Sequence, residues 1–278
     1  YGVDPSDQED QTPMTAVATM PENSGNPALK SDAAAILFAE SSARSMTVAG
    51  TTIKLIVLLV ALVAGGSWGW ASATTPVGAD LGNGYANTTV TIPGGFWLAS
   101  FAAFGVAIFL VINPRRAGLL GVIYALLQGY CLGAISAMFD AQTEGIVGAA
   151  ILSTVCVFVV SLFLYATRIV KPTQKMAFGV TAAIGGLCLL YLFVWVLAIF
   201  DWSWLYSEQF RTVGIVVLAL SVVLAAMSLT LDFAFIEACV DGGAPKFMEW
   251  YGAYGLLVTL IWLYVTILRL LALLARNR

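Results

Sequence analysis

The sequence predicts an all-α, polytopic membrane protein with seven transmembrane helices. Three observations carry this prediction. Of the 278 residues, 60% are hydrophobic and only 10% are charged, with a mean hydropathy of +0.89, whereas a typical globular domain has about 25% charged residues. Seven apolar stretches each come near the roughly 20 residues that a helix needs to cross about 30 Å of hydrocarbon. None of them shows the alternation of a barrel strand, so helices are the structure that satisfies the backbone in lipid. The stretches are residues 51–71, 95–112, 117–139, 145–167, 177–200, 212–235 and 251–274.

Residues 1–50 form an acidic segment that differs from the rest of the chain. This segment holds seven of the 16 acidic residues but only two of the 13 basic ones, Lys30 and Arg44. It mixes Pro, Ser, Asp, Gln and Thr, and it lacks the basic and apolar regions of a signal peptide. We therefore predict a mostly disordered tail over residues 1–50, with an amphipathic piece around Ala33–Ser45, followed by a transmembrane domain over 51–275.

The charges of the connecting segments predict the orientation. Segments 113–116 and 168–175 are basic, whereas segments 72–94, 140–144 and 201–211 together contain five acidic residues and one arginine. By the positive-inside rule the basic segments are cytoplasmic. The tail is then cytoplasmic too, and seven spans place the carboxyl end outside. Two interpretations of Arg269, Arg276 and Arg278 stay open: they extend to the outer interface, or the last segment does not fully cross.

Several classes of function are excluded by what the chain lacks. It contains no histidine, which removes the commonest metal ligand and general base. The four cysteines lie in or beside separate predicted helices and form no CxxC pair, so they do not indicate a zinc or iron–sulfur site. There is no pair of aspartates on facing helices and no basic stripe. We therefore predict that the protein is not an enzyme, binds no cofactor and has no nucleic-acid partner.

The third predicted helix carries a ridge of small residues four positions apart, which lets a neighbouring backbone approach closely. The ridge comprises Ala125, Gly129, Gly133 and Ala137. Gln128 and Ser136 lie beside it and are placed to form hydrogen bonds across the interface. For Gln128 two interpretations stay open, a structural role and a position facing a pore or ligand.

The sixth predicted helix carries the candidate site. Ser221, Ser228 and Asp232 share one helical face within an apolar run, and a carboxylate inside a membrane span is a functional candidate by default. Glu237 and Asp241 follow toward the cytoplasm, and the three carboxylates predict a vestibule for a cation such as Ca²⁺. Because Asp232 loses its charge on protonation, it is also a candidate pH-sensitive gate. The competing interpretations for Asp232 are a structural hydrogen bond and an ion pair with a basic residue at the inner face. For Glu237 and Asp241 the competing interpretation is a solvated helix end.

The seventh predicted helix has Thr259 and Thr266 seven positions apart, followed by Arg269. Arg269 is expected near the interface opposite Asp232, so a direct ion pair between them is not predicted. No lysine lies in the middle of this helix, which argues against a retinal-binding protein.

Several of these segments, in this order, resemble the bacterial branch of the Bax inhibitor-1-like (YccA-like) proteins. The similarity extends over about residues 26–275. The segments that carry it are Asn26-Pro27, Met46-Thr47-Val48, Gly133-Ala134-Ile135-Ser136-Ala137, Leu231-Asp232-Phe233 with Ile236-Glu237, Gly243-Ala244-Pro245, Trp262-Leu263-Tyr264 and Ile267-Leu268-Arg269-Leu270-Leu271.

The resemblance implies a bundle in which six helices surround a central seventh, in a bacterial plasma membrane. It also implies a pH-sensitive calcium leak controlled by two aspartates, one on each of the last two helices. Asp232 matches the first, whereas Thr266 stands where the second is expected. The leading hypothesis is therefore a cation leak gated around Asp232, with Ca²⁺ as the permeant or regulatory ion and a water-accessible path along Ser221, Ser228, Gln128 and Thr266.

The alternative hypothesis is a non-conducting membrane protein that modulates a membrane protease or serves as an accessory subunit. Its partners would be membrane lipid and another membrane protein. Such a protein should present an uncovered small-residue face, for which the ridge over 125–137 is the candidate.

Overall fold

A computed structural model describes residues 45–76, 88–170, 172–200 and 208–275. These residues contain seven α-helices, which confirms the all-α fold and the helix count. The acidic tail and its amphipathic piece lie outside the described residues, and their structure stays a prediction. The helices are α1 (Val48–Ala73), α2 (Phe96–Ile112), α3 (Ala117–Asp140), α4 (Ile146–Ala166), α5 (Gln174–Phe200), α6 (Glu208–Asp241) and α7 (Met248–Ala275).

The segment between α1 and α2 contains two short strands in addition to the predicted helices. Strands β1 (Thr74–Pro76) and β2 (Thr88–Val90) pair antiparallel, with Thr74 opposite Val90. A 3₁₀ turn over Pro114–Arg116 joins α2 to α3. This turn follows from the sequence, because proline fits the first turn of a helix, where its missing N–H is not needed.

Six of the helices in the described residues are long and apolar enough to cross a membrane. The exception is α2, which has 17 residues. At 1.5 Å per residue it is about 25 Å long, which is at the lower limit for spanning the hydrocarbon core. The seven predicted spans thus correspond to seven helices, of which α2 is the shortest.

The last helix is central, as predicted. Helix α7 packs against α1, α3, α4 and α6, and its buried residues include Leu257, Leu263 and Leu268, which are fully enclosed. Helix α5, in contrast, packs mainly against α6 and leaves most of its surface exposed. The bundle therefore has a dense centre around α7 and a peripheral helix α5.

The small-residue ridge of α3 packs against α1, and this is the most extensive helix contact in the described structure. A Cβ atom added at Gly129 would collide with the carbonyl oxygen of Leu62, and one added at Gly133 with that of Gly66. The predicted packing role is confirmed. Because α1 covers the ridge, it is not the free partner surface that the accessory-subunit hypothesis anticipated.

The helices run alternately up and down, so that α1, α3 and α7 begin at the end of the bundle where α4 and α6 finish. We call this the proximal end and the opposite one the distal end. At the proximal end the Met46 N–H donates to the Ala244 carbonyl at 2.7 Å, and the position of Gly118 on α3 lies against Trp250 of α7. The basic residues Arg115 and Arg168 flank helices at this same end.

Candidate functional site

Asp232 lies at the interface between α6 and α7. The Thr259 hydroxyl on α7 donates to Oδ2 of Asp232 at 2.6 Å, and the Asp232 side chain is partly buried. Helices α6 and α7 are consecutive and pack against each other. No basic side chain within the described residues forms an ion pair with Asp232. The carboxylate is therefore held inside the bundle by a neutral hydroxyl group.

The other two carboxylates of the predicted vestibule lie in different surroundings. Glu237 accepts a hydrogen bond from the Tyr165 hydroxyl of α4, and its Oε1 lies 3.6 Å from Nη2 of Arg168. Asp241 is exposed at the end of α6. In the part of the chain that the structure describes, no three acidic or cysteine side chains gather closely enough to hold a metal ion. The expected three-carboxylate ligand set is thus not assembled here.

A large cavity of about 1070 Å³ lies between α1 and α4. Its floor is formed by α7 together with parts of α3 and α6, and its lining is almost entirely apolar. Glu237 and Tyr165 stand at its proximal end, and Ser136 and Tyr264 line it toward the distal end. Asp232 does not line this cavity.

The residues predicted to form a polar path are used within the bundle instead. Ser221 is fully buried (0% exposed) and donates to the Val217 carbonyl of its own helix at 2.7 Å. Ser228 and Gln128 are partly buried, and neither lines the large cavity. Ser136 does form the predicted hydrogen bond across the α3 interface, to the Tyr264 hydroxyl at 2.7 Å. Ser221 is therefore not accessible to the predicted water-accessible path, and its hydroxyl proton is already used in a hydrogen bond.

Comparison with known protein families agrees with this architecture. A family described as Bax inhibitor 1 like matches residues 21–276, which is nearly the whole chain. The chain belongs to the Bax inhibitor 1 like family. No curated protein and no solved structure gives a match.

For this Bax inhibitor 1 like protein, the structure shows which residue of α7 contacts Asp232. Thr266 stands where the resemblance places the second acid, whereas the α7 side chain that contacts Asp232 is that of Thr259. Thr266 lies two helical turns further along α7, about 10 Å away at 1.5 Å per residue. Its hydroxyl donates to the Trp262 carbonyl at 2.8 Å. In this structure the Thr266 hydroxyl is therefore bonded within its own helix and not to Asp232.

Sequence reasoning missed a buried ion pair at the proximal end. Glu249, in the first turn of α7, is 1% exposed. It forms an ion pair with Lys54 of α1, and it accepts hydrogen bonds from the Thr47 N–H and hydroxyl, both at 3.0 Å. The Lys54 ammonium also lies 5.6 Å from the centre of the Trp250 ring, within the range of a cation–π interaction.

This Lys54–Glu249 ion pair explains two further features of the sequence. Gly50 leaves room beside it, because a Cβ atom there would displace the Glu249 carboxylate from its present position. The signal that could have revealed the pair is Lys54 itself, since a lysine inside a predicted span needs a partner. The partner of Lys54 is Glu249, which lies near the opposite end of the sequence.

Proposed function

We propose that this Bax inhibitor 1 like protein is a pH-sensitive cation leak gated around Asp232, with Ca²⁺ as the permeant or regulatory ion. The observation that supports the proposal is the Asp232–Thr259 contact. A carboxylate inside a membrane span is costly, about 2.5–3.5 kcal/mol at a helix centre on the insertion scale. A structural hydrogen bond alone could be made by a neutral side chain, so the retained charge favours a role with cations.

The chemistry of the two side chains suits a hard cation. Carboxylate and hydroxyl oxygens are the ligand type that Ca²⁺ prefers, and waters complete its coordination of six to eight oxygens. In this structure the Thr259 hydroxyl donates a hydrogen bond to one carboxylate oxygen of Asp232, and Ser221 is fully buried. We interpret this as the closed conformation, from which α6 and α7 must separate before a hydrated ion can pass.

The test is Ca²⁺ entry into proteoliposomes at neutral and acidic pH. We expect the wild type to conduct and Asp232→Asn to lose most of the flux at neutral pH, because the variant keeps the hydrogen bond but not the charge. Protonation removes the same charge, so wild-type flux should fall at acidic pH while the flux of Asp232→Asn stays unchanged. Thr259→Val should raise the flux, since it frees the carboxylate oxygen.

A matched control is Glu144→Gln, which neutralises an exposed carboxylate at the distal end. The Ca²⁺ flux of Asp241→Asn is measured separately, to test whether the exposed carboxylate at the proximal end contributes to cation entry. Equal flux from wild type and Asp232→Asn at both pH values would contradict the proposed gate. No flux above empty liposomes, with the protein folded and inserted, would contradict conduction altogether.

The second candidate is a non-conducting protein that modulates a membrane protease or joins a larger complex. The observation that favours it is the exposure of α5, which packs mainly against α6. Added Cβ atoms at Gly179, Gly185 and Gly186 of α5 would meet no atom within 4 Å, so another helix could approach closely there. This candidate predicts an absence of flux together with a partner lost on Gly186→Leu.

We also propose that the protein resides in a bacterial plasma membrane with its proximal end in the cytoplasm. The basic residues Arg115, Arg116 and Arg168 flank helices at that end, which is the arrangement the positive-inside rule favours. An engineered cysteine in place of Thr173 should then react with a membrane-impermeant thiol reagent only in inverted vesicles. A cysteine in place of Gln142 should react only from outside.

A further inference from the structure

We infer that Met46 and Thr47 form a strap that closes the proximal end of the α6–α7 interface and blocks access to Asp232 from that end. The inference rests on the proposed cation leak, because it names a contact that keeps the leak closed. Three observations carry it. The strap is bonded to the connection between α6 and α7, its methionine ends where the two helices meet, and this place lies close to the Asp232–Thr259 contact.

The strap precedes α1 and is not part of it. Thr47 has an extended backbone, with φ −130° and ψ 149°, and α1 begins one residue later at Val48. The Thr47 hydroxyl accepts the Gly50 N–H at 3.0 Å and thereby caps that helix. The Thr47 N–H and hydroxyl both donate to Glu249 of α7. Because Met46 lies before the cap, it can leave its position while α1 stays intact.

The other attachment of the strap is the connection between α6 and α7. The Met46 N–H donates to the Ala244 carbonyl at 2.7 Å. The Ala244 N–H in turn donates to the Cys239 carbonyl, and the N–H of Gly243, which has φ 65°, donates to the Val240 carbonyl. These two bonds form a Schellman motif, in which glycine takes the left-handed position. The strap is thus bonded to a connection whose conformation is fixed by the end of α6.

The Met46 side chain ends where α6 meets α7. It is 2% exposed. A Cβ atom added at Gly252 of α7 would lie 3.5 Å from Cε of Met46 and 3.2 Å from Cγ1 of Ile236 on α6. The missing side chain of Gly252 therefore provides the space in which these two side chains meet. Methionine suits such a place, because its flexible side chain fills irregular gaps.

This meeting point continues the interface that contains Asp232. Ile236 follows Asp232 by four residues, and Gly252 precedes Thr259 by seven, so each pair shares one face of its helix. At 1.5 Å per residue the meeting point lies about 6–10 Å from the Asp232–Thr259 contact, on its proximal side. An ion that enters this interface from the proximal end therefore reaches Met46 before it reaches Asp232.

The strap is placed to oppose the separation of α6 and α7 that the proposed function requires. It is bonded to the end of α6 through Ala244 and to the start of α7 through Glu249. Separation of the two helices at this end must therefore break these bonds or withdraw Met46 from the interface. The strap then holds the closed conformation, and its release opens the proximal side of Asp232.

The test measures access to Asp232 and Ca²⁺ flux on the full chain in proteoliposomes. Access is measured with a water-soluble carbodiimide and an amine on both sides of the membrane. The amide formed at Asp232 is quantified by mass spectrometry relative to that at Asp241, which is exposed. Because labelling does not require conduction, the two measurements separate failure of the strap from failure of the leak.

Two variants weaken the strap, and each has a matched control. Met46→Ala removes the side chain, and Leu110→Ala is its control, since Leu110 is 0% exposed in α2, which packs mainly against α3. Gly252→Ala crowds Met46 and Ile236 without leaving a cavity. Its control is Gly255→Ala, where an added Cβ meets no atom within 4 Å. Met46→Leu conserves the side-chain volume and should restore the closed state.

We expect labelling of Asp232 to be at least about tenfold faster in Met46→Ala than in the wild type. A tenfold change requires about 1.4 kcal/mol, and truncation of a buried methionine costs more than this. Gly252→Ala should give a smaller increase in the same direction. Both controls and Met46→Leu should react like the wild type, and Ca²⁺ flux at neutral pH should follow the same order. Thermal unfolding of each variant confirms that it is folded.

The outcomes distinguish the strap from the leak. Faster labelling without flux in any variant would support the strap and contradict the leak. Equal labelling of Met46→Ala and Leu110→Ala would overturn the strap, because Met46 would then be an ordinary core residue. If Met46→Ala does not fold, equal labelling of Gly252→Ala and Gly255→Ala overturns it. Wild-type labelling of Asp232 as fast as that of Asp241 would also overturn it, because the carboxylate would not be covered.

Discussion

Replacing Glu249 with alanine is expected to lower the free energy of unfolding by about 3–5 kcal/mol, because it leaves the ammonium of Lys54 without its partner in a buried site. The same replacement removes the acceptor for the Thr47 N–H and hydroxyl, so the starts of α1 and α7 lose these hydrogen bonds and keep only their other contacts. The measurement is unfolding of the detergent-solubilised protein by heat or by titration with a denaturing detergent.

A double variant separates the charge from the packing. Lys54→Met combined with Glu249→Leu removes both charges and keeps apolar volume, and such replacements of buried ion pairs are often neutral or stabilising. We therefore expect the double variant to be more stable than Glu249→Ala. Arg168→Gln is the exposed control and should cost less than about 1 kcal/mol. A loss as small in Glu249→Ala as in this control would show that the buried pair contributes little.

Replacing Gly133 with leucine should cost about 3 kcal/mol or more. Overpacking costs about 1–3 kcal/mol when side chains can adjust, but here the new Cβ meets the backbone carbonyl of Gly66. Helices α1 and α3 must then move apart, which strains the most extensive helix contact of the described structure. Thermal unfolding and the yield of folded protein both report this change.

The matched control is Gly148→Leu on α4, where an added Cβ meets no atom within 4 Å. Leucine has the higher helix propensity, so this variant should be as stable as the wild type or slightly more stable. If Gly133→Leu and Gly148→Leu unfolded alike, the close contact between α1 and α3 would not be limiting for stability.

The helices and the small-residue ridge of α3 could be predicted because each depends on the residues of one segment only. A span needs about 20 apolar residues, and the spacing of Gly129 and Gly133 within one helix shows that a backbone can approach there. Centrality of the last helix came from the family resemblance. None of these predictions depends on how two distant segments align.

The candidate site was less predictable because it depends on register between helices. The spacing of Thr259 and Thr266 on one helix does not predict which of them faces Asp232. That depends on how far α6 is shifted along its axis relative to α7. The Lys54–Glu249 ion pair joins residues 195 positions apart. The cavity between α1 and α4 forms because these two helices do not pack closely against each other. The sequence of either helix alone does not predict this.

The Lys54–Glu249 ion pair also has a consequence for biosynthesis. Lys54 belongs to the first helix to be made and Glu249 to the last, with 195 residues of synthesis between them. At about 5–20 residues per second, the lysine remains without this carboxylate for about 10–40 s. Because Lys54 lies six residues after the start of α1, its side chain can extend to the membrane interface during this time. The ion pair that joins the first helix to the last therefore forms only when synthesis of the chain is nearly complete, and a product truncated before α7 cannot form it.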